Sequence, residues 1–137
     1  MKHPLLDWNA LSKDYARYHT HPLNRLTHIF GIPMIMFWVV RLTQVGTFPI
    51  PLAAGFLILY AFWDLDLAIV MGALMLAMAL AAPFVGHPAM WAIFIAGWIL
   101  QFAGHTFFEK KSPAFAKNFI HILVGPMWIL GEVLGEK

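Results

Sequence analysis

Long apolar runs, separated by short polar or proline-containing breaks, make up most of this chain. They predict membrane-spanning helices at about 26–45, 52–63, 67–86 and 89–108, followed by a less apolar segment over 114–134. The second run is short for a span, and the last segment suits either a tilted fifth helix or a partly re-entrant one. We therefore predict an all-α integral membrane bundle with four or five spans.

The polar N-terminal segment predicts a different kind of helix. Between residues 5 and 19, apolar positions recur every three to four residues, at Trp8, Leu11 and Tyr15. Such an amphipathic helix lies on the membrane surface or packs over the ends of the spanning helices. His19 ends the apolar stripe and is expected to point inward. Pro22 breaks this helix and suits the first turn of the next.

Composition supports a small membrane protein with one domain over residues 1–137. The 137 residues are 61% hydrophobic and 12% charged, with a mean hydropathy of +0.71, whereas soluble domains carry about 25% charged residues. The chain has no cysteine, which excludes disulfides, zinc–thiolate sites, iron–sulfur clusters and thiol catalysis. A net charge of +2 is too small to imply a nucleic-acid partner.

Four crossings would return the chain to the side on which it starts. Most of the basic residues then share one face: Lys2, Lys13, Arg17, Arg25, Lys110, Lys111 and Lys117. The positive-inside rule makes that face cytoplasmic, in a bacterial inner membrane or in the endoplasmic reticulum of a eukaryote. The same arrangement brings several potential ligands to one interface: His19, His21, His28, His105, Glu109 and His121.

The end of the fourth span carries regularly spaced polar residues. Gln101, His105 and Glu109 follow one another at intervals of four and should share one helix face, as should Asn24 and His28. Ionisable groups inside spanning segments are costly and point to function.

Imidazole nitrogens and a carboxylate, without sulfur, form the predicted ligand set. His19, His28 and His105 with Glu109 match the pattern of non-haem iron(II) oxygenases. The alternative to metal binding for His105 and Glu109 is that they form a hydrogen-bonded pair at a helix end. His121 is a further ligand or forms an interhelical hydrogen bond. Because it precedes a proline, His21 suits helix capping or a solvent-facing position better than metal binding.

Two motifs resemble those of a known family. The first comprises Tyr15-Ala16-Arg17-Tyr18-His19, Asn24, His28 and Gly31-Ile32-Pro33. The second comprises Gly97-Trp98-Ile99, Gln101-Phe102-Ala103-Gly104-His105, Phe108-Glu109-Lys110 and Pro113-Ala114, continued by Asn118, Pro126 and Glu132. They are similar to motifs of the small multi-pass, iron(II)-dependent dioxygenases of 2-hydroxy fatty acids, which occur in fungi and bacteria.

The resemblance implies an α-oxidation that uses Fe(II) and O2. In that reaction the bond between the carboxyl carbon and the hydroxyl-bearing carbon of a long-chain 2-hydroxy fatty acid is cleaved, leaving an acid one carbon shorter. The histidines that match the motifs are His19, His28 and His105. We predict these three and Glu109 as catalytic residues and metal ligands, with His121 as a further ligand. We place six residues on the substrate side: Tyr15, Tyr18, Asn24, Arg25, Gln101 and Lys110.

Two other functional classes remain as alternatives from the sequence. A membrane di-metal hydroxylase or desaturase needs about eight histidine ligands, and only four or five histidines here can share a face. A non-enzymatic protein that binds membrane lipid or haem would use its histidines only as axial ligands or hydrogen-bonding groups. The sequence leaves the chain-length preference and the oligomeric state open.

Overall fold

The computed structural model describes residues 3–42, 49–113 and 119–135, and the prediction of an all-α fold is confirmed over these ranges. They contain helices and connecting turns but no strand. The α-helices are α1 Trp8–Ala16, α2 Pro22–Leu42, α3 Pro49–Trp63, α4 Leu65–Ala81, α5 His87–Ala103 and α6 Ile120–Leu134. A 3-10 turn, Ala82–Phe84, prolongs α4, and a π-helical turn, Gly104–Glu109, prolongs α5.

Three helical segments in the described part of the chain are long and apolar enough to cross a membrane. They are Pro22–Leu42, Leu65–Phe84 and His87–Glu109. The apolar segments Ala53–Trp63 and Ile120–Leu134 are shorter. A fourth or fifth crossing would have to use these shorter helices and stays a prediction.

Helix boundaries differ from the predictions mainly where prolines occur. Pro22 opens α2 as predicted, so this helix begins several residues before the apolar span expected from 26, whereas Pro49 opens α3 before the predicted start at 52. Proline fits the first turn of a helix because the N–H that it lacks has no intrahelical partner there. The predicted turn over 46–51 is therefore wrong from Pro49 onward, and its first part lies outside the described residues, as does 114–118.

The packing of α2 against α5 forms the centre of the bundle and depends on two glycines. A Cβ built on Gly31 would lie 2.9 Å from the carbonyl oxygen of Gly97, and one built on Gly97 would lie 2.9 Å from the carbonyl oxygen of Gly31. Real Cβ atoms essentially never approach other atoms so closely. Small residues at such contacts let membrane helices approach backbone to backbone.

The predicted amphipathic N-terminal helix is present in a shorter form. A 3-10 turn, Pro4–Leu6, leads into α1, and the side chain of Asp7 accepts a hydrogen bond from the backbone N–H of Ala10 at 3.1 Å. The apolar face of α1 packs against α6 and buries Leu11 and Tyr15. This packing positions the segment that follows α1, which carries His19, against the spanning helices.

Candidate metal centre

Three buried histidine rings meet at one end of the bundle. His19 follows α1, His28 lies in the second turn of α2, and His105 lies in the π-helical turn after α5. The Nε2 atom of His28 lies 3.0 Å from Nε2 of His19 and 3.1 Å from Nε2 of His105. The three rings are 1%, 1% and 2% exposed. One nitrogen from each ring falls within 4.8 Å of the other two, as in a metal site.

The π-helical turn and a glycine position His105. A π-helical turn is wider than an α-helical one, and such turns are frequent at functional sites. A Cβ at Gly104 would collide with the side chains of Asn24 and Thr27, so glycine is needed for α2 to lie against this turn. Lys110, with φ of 55°, ends the turn in the left-handed region.

Hydrogen bonds at the opposite ring nitrogens fix two of the tautomers. Nδ1 of His19 lies 2.7 Å from the carbonyl oxygen of Tyr15, and Nδ1 of His28 lies 2.8 Å from that of Asn24. A carbonyl oxygen only accepts, so each Nδ1 carries the proton and donates it. Each Nε2 is then left with an unprotonated lone pair, which is the form that binds metals.

The two facing lone pairs suit a cation between them. With both protons on Nδ1, the Nε2 atoms of His19 and His28 face each other at 3.0 Å with no hydrogen between them. Burial, and next the adjacent His28, lower the pKa of His19 far below its usual range, which disfavours a proton as that cation. A metal ion satisfies both nitrogens at once.

The spacing and chemistry of the nitrogens fit a first-row transition metal. Two imidazole nitrogens bound about 2.1 Å from one ion, at right angles to each other, are about 3 Å apart. The distances of 3.0 and 3.1 Å agree with this value. Imidazole ligands suit iron, zinc, copper and nickel, and three of them leave coordination positions open for other molecules.

Glu109 does not lie with the three nitrogens, because its carboxylate contacts other groups. One oxygen, Oε1, accepts from the backbone N–H of His21 at 2.6 Å and from Nδ2 of Asn24 at 3.2 Å. The other, Oε2, accepts from the hydroxyl of Thr20 at 2.8 Å. The carboxylate thus joins the end of α5 to the loop after His19 and to the first turn of α2.

His121 also lies apart from the cluster, although it is only 3% exposed. Its Nε2 is 3.1 Å from a carboxylate oxygen of Asp14 on α1, and its ring meets that of Tyr15 edge-on at 5.9 Å between centroids. The structure therefore groups three of the five predicted ligands.

The sequence-based expectation that His21 caps a helix is confirmed, because its Nδ1 accepts from the N–H of Leu23 at 3.1 Å.

Three of the predicted substrate residues surround the cluster directly. The ring of Tyr15 stacks on that of His19, with centroids 4.0 Å apart. Asn24 is fully buried, and its amide also donates to the carbonyl oxygen of Tyr18 at 3.2 Å. Gln101 is buried one turn before His105, and its Nε2 has no hydrogen-bond partner among the described residues.

The other three predicted substrate residues point elsewhere. Arg25 donates from Nε to the carbonyl oxygen of His19 at 2.6 Å and from a terminal nitrogen to Glu132 at 3.1 Å. Tyr18 is half-buried, and the Nζ atom of Lys111 lies over its ring at 5.6 Å from the centroid. Lys110 is exposed. These residues fasten the loop that carries His19 or lie at the surface.

Sequence reasoning missed the groups that hold Glu109. Thr20 and the backbone N–H of His21 precede α2, where the first N–H groups of a helix have no intrahelical partner and attract negative charge. Pro22 at the first helical position was the available signal for this helix start. A second missed residue is Trp128 of α6, whose buried ring lies 5.3 Å from that of His19.

Basic residues of the N-terminal segment and of the end of α5 meet at this end of the bundle, as predicted. The Nζ atom of Lys111 donates to the carbonyl oxygen of Arg17 at 3.1 Å. The end of the bundle that carries the histidines therefore also carries most of the described basic side chains, together with acidic ones such as Asp14, Glu109 and Glu132.

Comparison with known proteins gives one family and one curated relative. The family described as 2-hydroxy-palmitic acid dioxygenase Mpo1-like matches residues 7–137. The 2-hydroxy-palmitic acid dioxygenase MPO1 of Saccharomyces cerevisiae is 32% identical over an alignment of 143 positions, and the match covers 95% of this chain and 81% of the yeast protein. No solved structure matches. The family match includes all three histidines of the cluster.

Proposed function

The chain belongs to the Mpo1-like family of 2-hydroxy-palmitic acid dioxygenases, and from this premise we propose that it is an Fe(II)-dependent dioxygenase. Its proposed substrates are O2 and a long-chain 2-hydroxy fatty acid drawn from the membrane. The observation that carries the proposal is the meeting of three buried Nε2 atoms, two of which present lone pairs to each other at 3.0 Å.

The proposed reaction is an oxidative loss of one carbon. The bond between C1 and C2 of the 2-hydroxy acid breaks, C2 becomes the carboxyl carbon of the shorter acid, and C1 leaves as CO2. One O2 accepts the four electrons released, and one water forms, so the reaction needs no further reductant. Iron, when bound, supplies the redox chemistry that reaction with O2 requires.

The three histidines hold the metal in this proposal, and the protein keeps their rings in the binding orientation. The hydrogen bonds from Nδ1 of His19 and His28 to backbone carbonyl oxygens fix ring orientation and raise the basicity of the Nε2 atoms. Three imidazoles leave room for the carboxylate and hydroxyl oxygens of a 2-hydroxy acid, which can chelate one ion.

Glu109 acts in this proposal as a positioning residue, in place of the ligand role predicted from spacing. Its carboxylate accepts hydrogen bonds from Thr20, next to His19, and from Asn24, one turn before His28. Glu109 itself follows His105 by four residues. One side chain thereby fixes all three ligand-bearing segments relative to one another.

The same end of the bundle supports a proposal about the orientation of the protein in the membrane. We propose that the basic end, with Lys13, Arg17, Arg25, Lys110 and Lys111, faces the cytoplasm. Positive charge there attracts the carboxylate of an incoming fatty acid.

A haem-binding role finds no support in the cluster. Separations of 3.0 and 3.1 Å leave no space for a porphyrin ring between His28 and either neighbour.

A direct assay tests the proposal. The purified protein in detergent is incubated with iron(II), O2 and 2-hydroxypalmitic acid, and the acid one carbon shorter is sought by mass spectrometry. We expect product that depends on iron and O2 and disappears in His105→Ala, while His87→Ala, at an exposed position, retains activity. A folded, iron-loaded sample without product at any chain length would refute the reaction.

A further inference from the structure

A small cavity lies one helical turn from each of the three histidines. Its volume is about 70 Å³, and α2, α5 and α6 enclose most of it. Its lining includes a residue four positions from each ligand: Tyr15 before His19, Ile32 after His28 and Gln101 before His105. Four residues correspond to about one turn, or 5–6 Å along a helix. The three histidines do not line the cavity themselves, and its near wall lies about one turn from them.

Two buried polar side chains with unpaired nitrogens line this cavity. Gln101 is 6% exposed and His121 is 3% exposed. The Nε2 atom of Gln101 and the Nδ1 atom of His121 have no hydrogen-bond partner in the described part of the chain. A buried polar group without a partner is costly. The cavity therefore suits a molecule whose polar end can pair with these nitrogens.

A second, apolar cavity continues the first along α2. Its volume is about 150 Å³. The two cavities share four lining residues: Ile35, Met36, Ile122 and Pro126. Beyond them the second cavity is lined by Val39, Val40, Phe56, Tyr60, Met75 and Leu123. We name the combined space the acyl slot. Its amide and imidazole groups, from Gln101 and His121, lie at the end next to the histidines, and apart from Tyr60 the far part is lined by hydrocarbon and thioether side chains.

We propose that the acyl slot between α2 and α6 holds the hydrocarbon tail of the 2-hydroxy fatty acid and that its far residues set the chain-length preference. This inference rests on the proposed function for the identity of the head group. The carboxylate and hydroxyl lie at the histidines and Gln101, and the methylenes follow α2 toward Val39 and Tyr60. Gln101 donates a hydrogen bond to an oxygen of the head group.

The order of polar and apolar walls favours a fatty acid over the tail of a bulk membrane lipid. From Ile32 to Val40 the slot follows α2 for about 12 Å, at 1.5 Å per residue. A lipid tail entering from the bilayer would place its methyl end beside Gln101 and His121, leaving their nitrogens unpaired. A free acid oriented with its head at the cluster pairs them and fills the apolar part.

A bulky residue placed in the far part of the slot tests the proposal. Val39 lines the apolar cavity and is half-buried. We expect Val39→Trp to lower kcat/KM for 2-hydroxypalmitate by about tenfold or more, with little change for a medium-chain 2-hydroxy acid. Val70→Trp is the matched control, because Val70 is 40% exposed and lines neither cavity. Val39→Phe tests the same point with a smaller change if the tryptophan variant does not fold.

A binding measurement without turnover tests the slot independently of the proposed reaction. Under nitrogen, 2-hydroxypalmitate should raise the Tm of the wild-type protein and of Val70→Trp more than that of Val39→Trp. If the wild type converts 2-hydroxy acids but Val39→Trp keeps the wild-type length profile and Tm shift, the slot is refuted. If the wild type converts no 2-hydroxy acid, the proposed function fails. In that case the Tm shifts still test the slot, and equal shifts in Val39→Trp and Val70→Trp would refute it.

Discussion

Gly31→Ala tests whether the close approach of α2 and α5 sets the geometry of the histidine cluster. The added Cβ would lie 2.6 Å from Nε2 of Gln101, the end of a side chain that can move. It would also lie 2.9 Å from the backbone oxygen of Gly97, which moves only with its helix. Ordinary contact begins at 3.4 Å, so the two helices must separate by about half an ångström.

This separation is large for a metal site. Overpacking of this kind typically costs about 1–3 kcal/mol of stability. Metal–ligand distances in a well-formed site vary by only about 0.2 Å. His28 lies three residues before Gly31, and its partner His105 is carried by the helix that must shift. We therefore expect Gly31→Ala to weaken metal binding by about tenfold or more, equivalent to about 1.4 kcal/mol.

The assay compares Gly31→Ala with Gly55→Ala in detergent. Gly55 lies within α3, and a Cβ there meets nothing within 4 Å. Denaturant unfolding of the metal-free proteins gives the stability change, and titration with iron(II) under nitrogen gives the affinity change. Gly97→Ala should reproduce the loss, since its Cβ meets the carbonyl oxygen of Gly31. If Gly31→Ala matches Gly55→Ala in both measurements, the reasoning from the helix contact is wrong.

Three further predictions concern the cluster itself. His28→Ala removes the central ligand and should lower iron(II) affinity by more than about 100-fold, measured by anaerobic titration, whereas the exposed His87→Ala should not. Glu109→Gln leaves donors around the carboxylate unpaired and should lower the affinity for iron(II) by about 10–100-fold in the same titration. An effect no larger than that of Asp66→Asn, at an exposed position, would contradict the positioning role of Glu109. Burial lowers the pKa of His19 below its usual value of 6.5, so the unfolded state gains a proton below that pH and the folded state does not. The unfolding free energy of the metal-free protein should therefore fall as pH drops below about 6.5, and denaturation curves that do not change between pH 8 and pH 5.5 would contradict the burial.

Several site features could be predicted from sequence because they depend on local spacing. The predicted topology puts His19, His28 and His105 at one interface, and the structure brings these three rings together, without the predicted ligands Glu109 and His121. Glu109 was expected among them because it follows His105 by four residues. Spacing gives the face of a helix, but the groups opposite that face come from other segments, and here they are the donors that precede α2.

The sequence by itself determined the helices. A run of apolar residues long enough to cross a bilayer must pair its backbone groups internally, so its helical structure depends on little beyond its own composition. The prolines likewise mark helix starts through their own missing N–H.

Only the tertiary structure decided how those helices meet. The contact of Gly31 with Gly97 sets the separation of α2 and α5, and the π-helical turn sets the direction of His105. The hydrogen bond from Arg25 to Glu132 and the lining of the acyl slot depend in the same way on residues far apart in the chain. These features arise from contacts between segments, which hydropathy and spacing along one segment do not encode.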